Sequence, residues 1–277
     1  MCTLKNKICS EYINTINKYK TVNYIPTPQD KDWPIWVMWW QGENAMPEIV
    51  RICYASILKN SCGHRVNLIT QSNYKDYISK LPRLPQLLEC MRSGELTCTA
   101  FSDIVRCYLL YTFGGVWIDA TILLADEIDN IITNNIFVSC RRLPIRRSIA
   151  KLKWSSFFVF SCRGNLIFKF MCEIFIKQIT EKHSWPHYFF IDYCFIIAID
   201  NLPFAENIQL KSPLFLDHVH DLAKNINNEV NEDYYNSLVF GNPFLKLTYK
   251  KLNFREFTKN GKVTYYGYIK TKFLSAD

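Results

Sequence analysis

The chain lacks the features that most quickly place a protein. No Cys-x-x-Cys occurs among its 11 cysteines, so a zinc ribbon or a thioredoxin-type site is not expected. No segment is apolar for long enough to span a bilayer; the most apolar stretch, Tyr188 to Ile199, is short and interrupted by Asp192. Met1 to Lys20 carries charges and no apolar h-region, so no signal peptide is expected. Internal repeats and low-complexity tracts are missing. So are G-x-x-x-x-G-K, G-x-G-x-x-G and G-x-S-x-G, which removes the kinase-like, dehydrogenase and lipase readings. Acidic side chains are the minority: 25 Asp and Glu against 33 Lys and Arg give a formal charge of +8. That balance favours an acidic partner such as nucleic acid, nucleotide phosphate or an anionic lipid headgroup.

What is present is a globular composition, 49% apolar, 15% aromatic and 21% charged over 277 residues. This length buries a core without disulfides or structural metal. An odd number of scattered cysteines suits a reducing compartment, so a cytosolic protein is expected.

Hydrophobic patterning predicts an α/β chain. Thr21 to Pro34, with three prolines, reads as a connecting arm. Ile35 to Trp40 is a continuous apolar run of β-type residues ending at Gln41-Gly42, which suits a buried strand and a turn. Pro47 to Lys59 has helical spacing, Arg65 to Thr70 reads as a second strand, and two short helices are expected before Gly94. Phe101 to Phe113 reads as a helix ended by Gly114-Gly115, followed by a strand Val116 to Asp119. This alternation predicts a mostly parallel, Rossmann-like sheet flanked by helices, with ligands beyond the carboxyl ends of its strands. That puts the Trp39-to-Gly42 and Asp119-to-Thr121 turns at the binding edge. Further on, Phe157 to Ser161 reads as a strand, and Leu166 to Ile179 and Tyr188 to Ile199 read as helices. Asn260-Gly261 is either a hairpin turn or a loop before a last helix.

Several residues invite chemistry. Asp103 and Arg106, three apart, share a helix face. Taken alone they read as an ion pair on a solvated surface, but their helix is largely apolar and runs into Gly-Gly and a strand ending in Asp119. Asp192 interrupts an apolar helix, and a buried charge needs a partner. It reads as an acceptor-binding carboxylate, as a stabiliser of an oxocarbenium-like centre, as the polar face of its helix, or as a buried ion pair. His218 and His220 read as surface residues. Basic clusters lie at Arg141-Arg142 with Arg146-Arg147, and at Lys246 with Lys250-Lys251.

The ordered set Ser102-Asp103-Ile104-Val105-Arg106, Leu109-Leu110-Tyr111, then Gly114-Gly115-Val116-Trp117-Ile118-Asp119-Ala120-Thr121 resembles the S-D-x-x-R, G-G, aromatic, D-x-D signature of the capsular polysaccharide synthesis family. These are DXD-type sugar transferases related to family 32 glycosyltransferases and, more distantly, to the glucosylating clostridial toxins. Trp36 to Gly42 with Pro47 and Val50, and Lys246-Leu247-Thr248-Tyr249-Lys250, are similar to further family segments, so the resemblance runs from about Trp33 to Lys251. It implies a single GT-A domain, with a nucleotide-sugar half near residues 33–125 and an acceptor half near 126–277. It also implies a retaining transfer of a hexose from a nucleotide-diphosphate sugar, UDP first among them, to a bacterial capsule, O-antigen or lipooligosaccharide glycan carried on a lipid-linked acceptor. By position, Asp103 and Arg106 contact the donor sugar, Ser102, Gly115 and Trp117 line the nucleotide site, Trp39 (with Trp40 its rival) lies against the base, and Asp119 holds Mn²⁺ or Mg²⁺. Two positions depart from the pattern. Thr121 replaces the second carboxylate of D-x-D, and Leu245 stands where many relatives have histidine. Lys246 is then the candidate cation for the diphosphate.

The runner-up is a non-catalytic basic module that binds nucleic acid or glycan, motivated by the Arg141-to-Lys153 cluster. The leading reading involves no nucleic acid. It places the protein in the cytoplasm, with the basic clusters docking it on the inner face of the cell membrane.

Overall fold

A computed structural model describes residues 2–28, 32–132, 136–143, 148–250 and 253–275. It is a mixed α/β protein, as the patterning predicts. Strands β1 (Ile35–Met38), β2 (Val66–Ile69), β3 (Gly115–Ile118), β5 (Phe137–Ser139) and β6 (Phe158–Ser161) form a mostly parallel sheet in the order β2-β1-β3-β6-β5. β1 and β3 are parallel, with Ile35 opposite Val116 and Trp36 opposite Trp117, while β5 and β6 are antiparallel at one edge. β4 (Ile122–Leu124) and β7 (Phe244–Lys246) form a separate antiparallel pair.

The chain forms two compact units whose dividing lines cross β1 and β3. The first comprises residues 1–36, 72–117 and 134–214. Its core packs the Cys98–Thr112 helix against the Leu166–Lys182 helix, with Phe101, Phe168 and Phe175 fully enclosed. Thr97 caps the first of these helices by accepting from the Ala100 N–H at 3.2 Å. Asn165 caps the second by accepting from the Ile167 N–H at 3.1 Å. Two amino-terminal helices, Cys2–Glu11 and Ile13–Lys20, complete this unit. Ile8, Tyr12, Ile16 and Tyr19 are buried, and the Tyr12 hydroxyl donates to Gln178 Oε1 at 2.8 Å.

The glycine pair joins the Cys98–Thr112 helix to β3. Gly114 takes a positive φ of 69°, the left-handed conformation that ends the helix. Gly115, at φ 89°, is excluded from carrying a side chain by packing as well. A Cβ there would lie 2.1 Å from the Pro34 carbonyl oxygen, which already accepts from the Val116 N–H at 2.9 Å. The close backbone approach expected at this pair is thus made to the start of β1.

The second unit comprises residues 37–71, 118–133 and 215–277. Its Glu48–Lys59 helix packs on β4 and on the carboxyl-terminal Tyr265–Leu274 helix. Glu48 on the first helix meets Tyr266 and Lys270 on the second. Ahead of that last helix, Asn260-Gly261 forms a tight turn closed by a single bridge between Phe257 and Val263, so both readings of the dipeptide hold. Among the described residues no helix is long and apolar enough to cross a membrane.

Candidate active site

In the first unit, Asp103 and Arg106 are buried, so the solvated-face reading of the pair does not hold. Arg106 Nη1 lies 3.1 Å from Asp103 Oδ1, and their side chains are 4% (Arg106) and 8% (Asp103) exposed. The apolar face of the Cys98–Thr112 helix carries them inward, since Ile104, Val105 and Cys107 around them are completely enclosed. The guanidinium lies 4.8 Å from the centre of the Trp117 ring, a cation–π contact. Trp117, expected to line the nucleotide site, is 2% exposed and serves as the platform for that cation. Ser102 is half-buried, and its hydroxyl donates back to the Thr99 carbonyl at 2.7 Å. Gly115 is buried, and a side chain there would meet Pro34.

Asp192 belongs to the same unit. It sits in the first turn of the Phe190–Asn201 helix and accepts from Trp154 Nε1 at 2.9 Å. Trp154 is itself stacked on Phe195, with ring centroids 3.9 Å apart, so the donor is held in place. Burial raises the Asp192 carboxyl to a pKa of about 6, opposed by the Trp154 hydrogen bond and by the charge of Arg106. Asp192 is thus a partly buried carboxylate held by an indole N–H, in the field of Arg106. Trp154 gave no sequence signal.

The second unit holds the other candidates. The parallel register sends Trp39 and Asp119 out of the same edge, just past the ends of β1 and β3. Lys246, the last residue of β7, lies opposite Ile122, and Leu247 extends the pairing by donating its N–H to the Thr121 carbonyl at 2.9 Å. This brings Lys246 Nζ to 2.7 Å from Asp119 Oδ2, with the side chains 22% and 27% exposed. Lys246 is therefore held in an ion pair. The same segment places Tyr249 edge-on to Trp39 at 5.3 Å between ring centres. The Trp39 Nε1 atom is buried and has no hydrogen-bond partner among the described residues. Trp40, also half-buried, turns with the chain as its carbonyl accepts from the Gln71 N–H. Tyr249 was legible only as part of the Lys246-to-Lys250 motif.

The basic cluster expected at Arg141 to Arg147 is not a solvated patch where it is described. Arg142 is 7% exposed, and Arg141 Nη1 donates to the carbonyls of Leu210 and Ser212. Both side chains are drawn inward by backbone carbonyls and packing. Arg146, Arg147 and Lys251 lie outside the described residues. His218 and His220 are exposed, as expected. The group of metal-capable side chains found among the described residues is Cys90, Glu95 and His183, which does not include Asp119.

With this geometry in view, the comparisons are specific about family. The profile of the capsular polysaccharide synthesis proteins matches residues 2–269. The chain belongs to that family and is, by that membership, a glycosyltransferase. None of the curated proteins matches it. Among solved structures it is similar to the PaToxG glycosyltransferase, at 14% identity and a TM-score of 0.45, over 76% of this chain and 85% of that one. At that distance the likeness adds nothing to the assignment.

Proposed function

We propose that this glycosyltransferase has a GT-A fold and moves a hexose, with retention, from a nucleotide-diphosphate sugar to a growing surface glycan. The observation that carries the reading is the Asp103–Arg106 pair, held inside an apolar helix at 3.1 Å. Two apolar residues would fill that space at no cost in stability, so retaining the charges fits a chemical use. In this reading Asp103 accepts from donor-sugar hydroxyls and Arg106 fixes their orientation. Asp192 serves the acceptor hydroxyl or the developing positive charge at the anomeric carbon. Trp39, rather than Trp40, meets the base, because its buried indole N–H still has a hydrogen bond to give.

Cleaving a glycosyl–diphosphate bond leaves negative charge on the departing group, which needs a cation beside it. The divalent ion expected at Asp119 fits poorly. That carboxylate is already engaged by Lys246 at 2.7 Å, and Thr121 offers only a neutral oxygen. Lys246 is the cation this chain supplies, with Asp119 holding the ammonium in place. Mn²⁺- or Mg²⁺-dependent turnover is the alternative that an assay with chelator reveals.

A glycan acceptor follows from the family. Inner-membrane docking loses Arg142, which is buried, while Lys250 of the second basic cluster stays exposed. The nucleic-acid module, motivated by the Arg141-to-Lys153 cluster and the 15% aromatics, loses Arg142 to the interior for the same reason. The test is a thermal-shift and donor-hydrolysis screen of UDP-, GDP- and CMP-sugars with the purified protein. A stabilising, hydrolysed UDP-hexose is expected. Binding of none of them, together with steeply salt-dependent RNA binding, would sink the proposal.

A further inference from the structure

A cavity lies wholly within the first unit and involves none of the side chains assigned above. Its volume is about 590 Å³, within the range of small-molecule sites, which runs from about 300 to 1,000 Å³. Its floor is apolar and aromatic: Tyr108 and Tyr111 from the Cys98–Thr112 helix meet Cys172 and Ile176 from the Leu166–Lys182 helix. Three exposed cations, Lys80, Arg83 and Lys169, stand around it. None of the three makes an ion pair among the described residues. Lys169 is held with its ammonium 5.1 Å from the centre of the Tyr111 ring. Two carboxylates also border the space. Glu173 is already neutralised by Lys18 at 2.8 Å and Lys177 at 3.1 Å, which leaves Glu181 as the one uncompensated acid against three uncompensated cations.

Topology separates this cavity from the proposed chemistry. Tyr111 and Thr112 end their helix beside Gly115, where β3 begins, whereas the strand-edge candidates follow the end of β3. Along the helix axis Tyr108 and Tyr111 are five and eight residues beyond Asp103, about 7.5 and 12 Å at the helical rise, and competition by UDP distinguishes this space from the donor site.

We propose that the cavity is a second binding site, for an organic phosphate with an aromatic body. The ring lies on Tyr108, Tyr111 and Ile176, and the doubly charged phosphate meets Lys80, Arg83 and Lys169 at the rim. Each half of the ligand answers one half of the lining: the apolar floor offers nothing to inorganic phosphate, and a neutral ring brings no anion to the cations.

The test is isothermal titration of the full chain with 1-naphthyl phosphate, with inorganic phosphate and 1-naphthol as the two half-ligands. Naphthyl phosphate is expected to bind saturably and at least about tenfold tighter than either half. The double variant Lys80→Gln/Lys169→Gln alters two exposed side chains, so its melting temperature is expected to stay unchanged while its Kd rises at least about fivefold. Ile176→Trp, which fills the floor, is expected to abolish binding. Millimolar UDP is expected to leave the Kd unchanged. The proposal is overturned by equal binding of the half-ligands, by an unchanged Kd in the double variant, or by displacement with UDP, which would put the probe in the donor site. Its success or failure is independent of whether the chain turns over a nucleotide sugar.

Discussion

Asp103 with Arg106 and Asp119 with Lys246 are both carboxylate–cation pairs at about hydrogen-bond distance, 3.1 and 2.7 Å, in different surroundings. The first is enclosed by its own helix and capped by the Trp117 ring. The second sits about one quarter exposed, at the end of a short strand pair. Enclosure makes the first pair rigid and intolerant of losing one member. Partial exposure leaves the second weak as a structural element and free to exchange its partner for a ligand. The proposed function uses the first pair as a fixed orienting device and the second as an adjustable charge.

The sharpest way to break this comparison is to remove one partner from the enclosed pair. Arg106→Ala leaves the Asp103 carboxylate buried and is expected to cost about 3–5 kcal/mol of stability, read as a large fall in the denaturant midpoint. Replacing both charges, as Asp103→Leu/Arg106→Met, is expected to recover most of that loss without recovering turnover. If the single variant is as stable as the parent, the pair is not enclosed as described.

Asp192 sharpens the contrast, because it lies in the field of Arg106. Its folded pKa of about 6 stands above its ordinary value of 3.8. The folded state therefore holds a proton that the unfolded state releases between those values, and stability falls as pH rises from about 4 to about 6. Asp192→Asn is expected to flatten that slope. It should also be more stable than the parent above pH 7 by about 2 kcal/mol, after allowance for partial exposure. A parallel pair of stability–pH curves would remove the raised carboxyl.

The smallest effect on stability belongs to Lys246→Met, about 1 kcal/mol or less for a partly exposed pair. Turnover is nevertheless expected to fall about a hundredfold, the scale set by removing one preorganised charge beside a leaving group. Retained turnover that requires Mn²⁺ and disappears with chelator would transfer the diphosphate role to a metal at Asp119.

How far the sequence led depends on whether a signal is local. β1 and β3 are continuous apolar runs, and the Cys98–Thr112 helix has a threonine cap and a glycine stop, so all three were legible to within a few residues. The amino-terminal helices were also written locally, as Ile8, Tyr12, Ile16 and Tyr19 at helical spacing, but their polar surroundings hid the stripe. β4 and β7 have three residues each and depend on pairing more than a hundred positions apart, which no window reveals. The site divides in the same way. Asp103, Arg106 and Asp119 stand in one motif, whereas the ion pair from Lys246 to Asp119 and the hydrogen bond from Trp154 to Asp192 are made by the fold. The charge cluster at Arg141-Arg142 misled because a sequence shows charge but not direction, and these side chains turn inward.

The most direct test of the central claim is turnover of the hydrolysed nucleotide sugar by Asp103→Asn beside the parent protein, at equal folded concentration. Asparagine keeps the shape and removes the charge that pairs with Arg106 and that, in the proposed function, accepts from donor hydroxyls. The account predicts a loss of at least about a hundredfold in kcat, with the protein still folded. Undiminished turnover by the folded variant would contradict it.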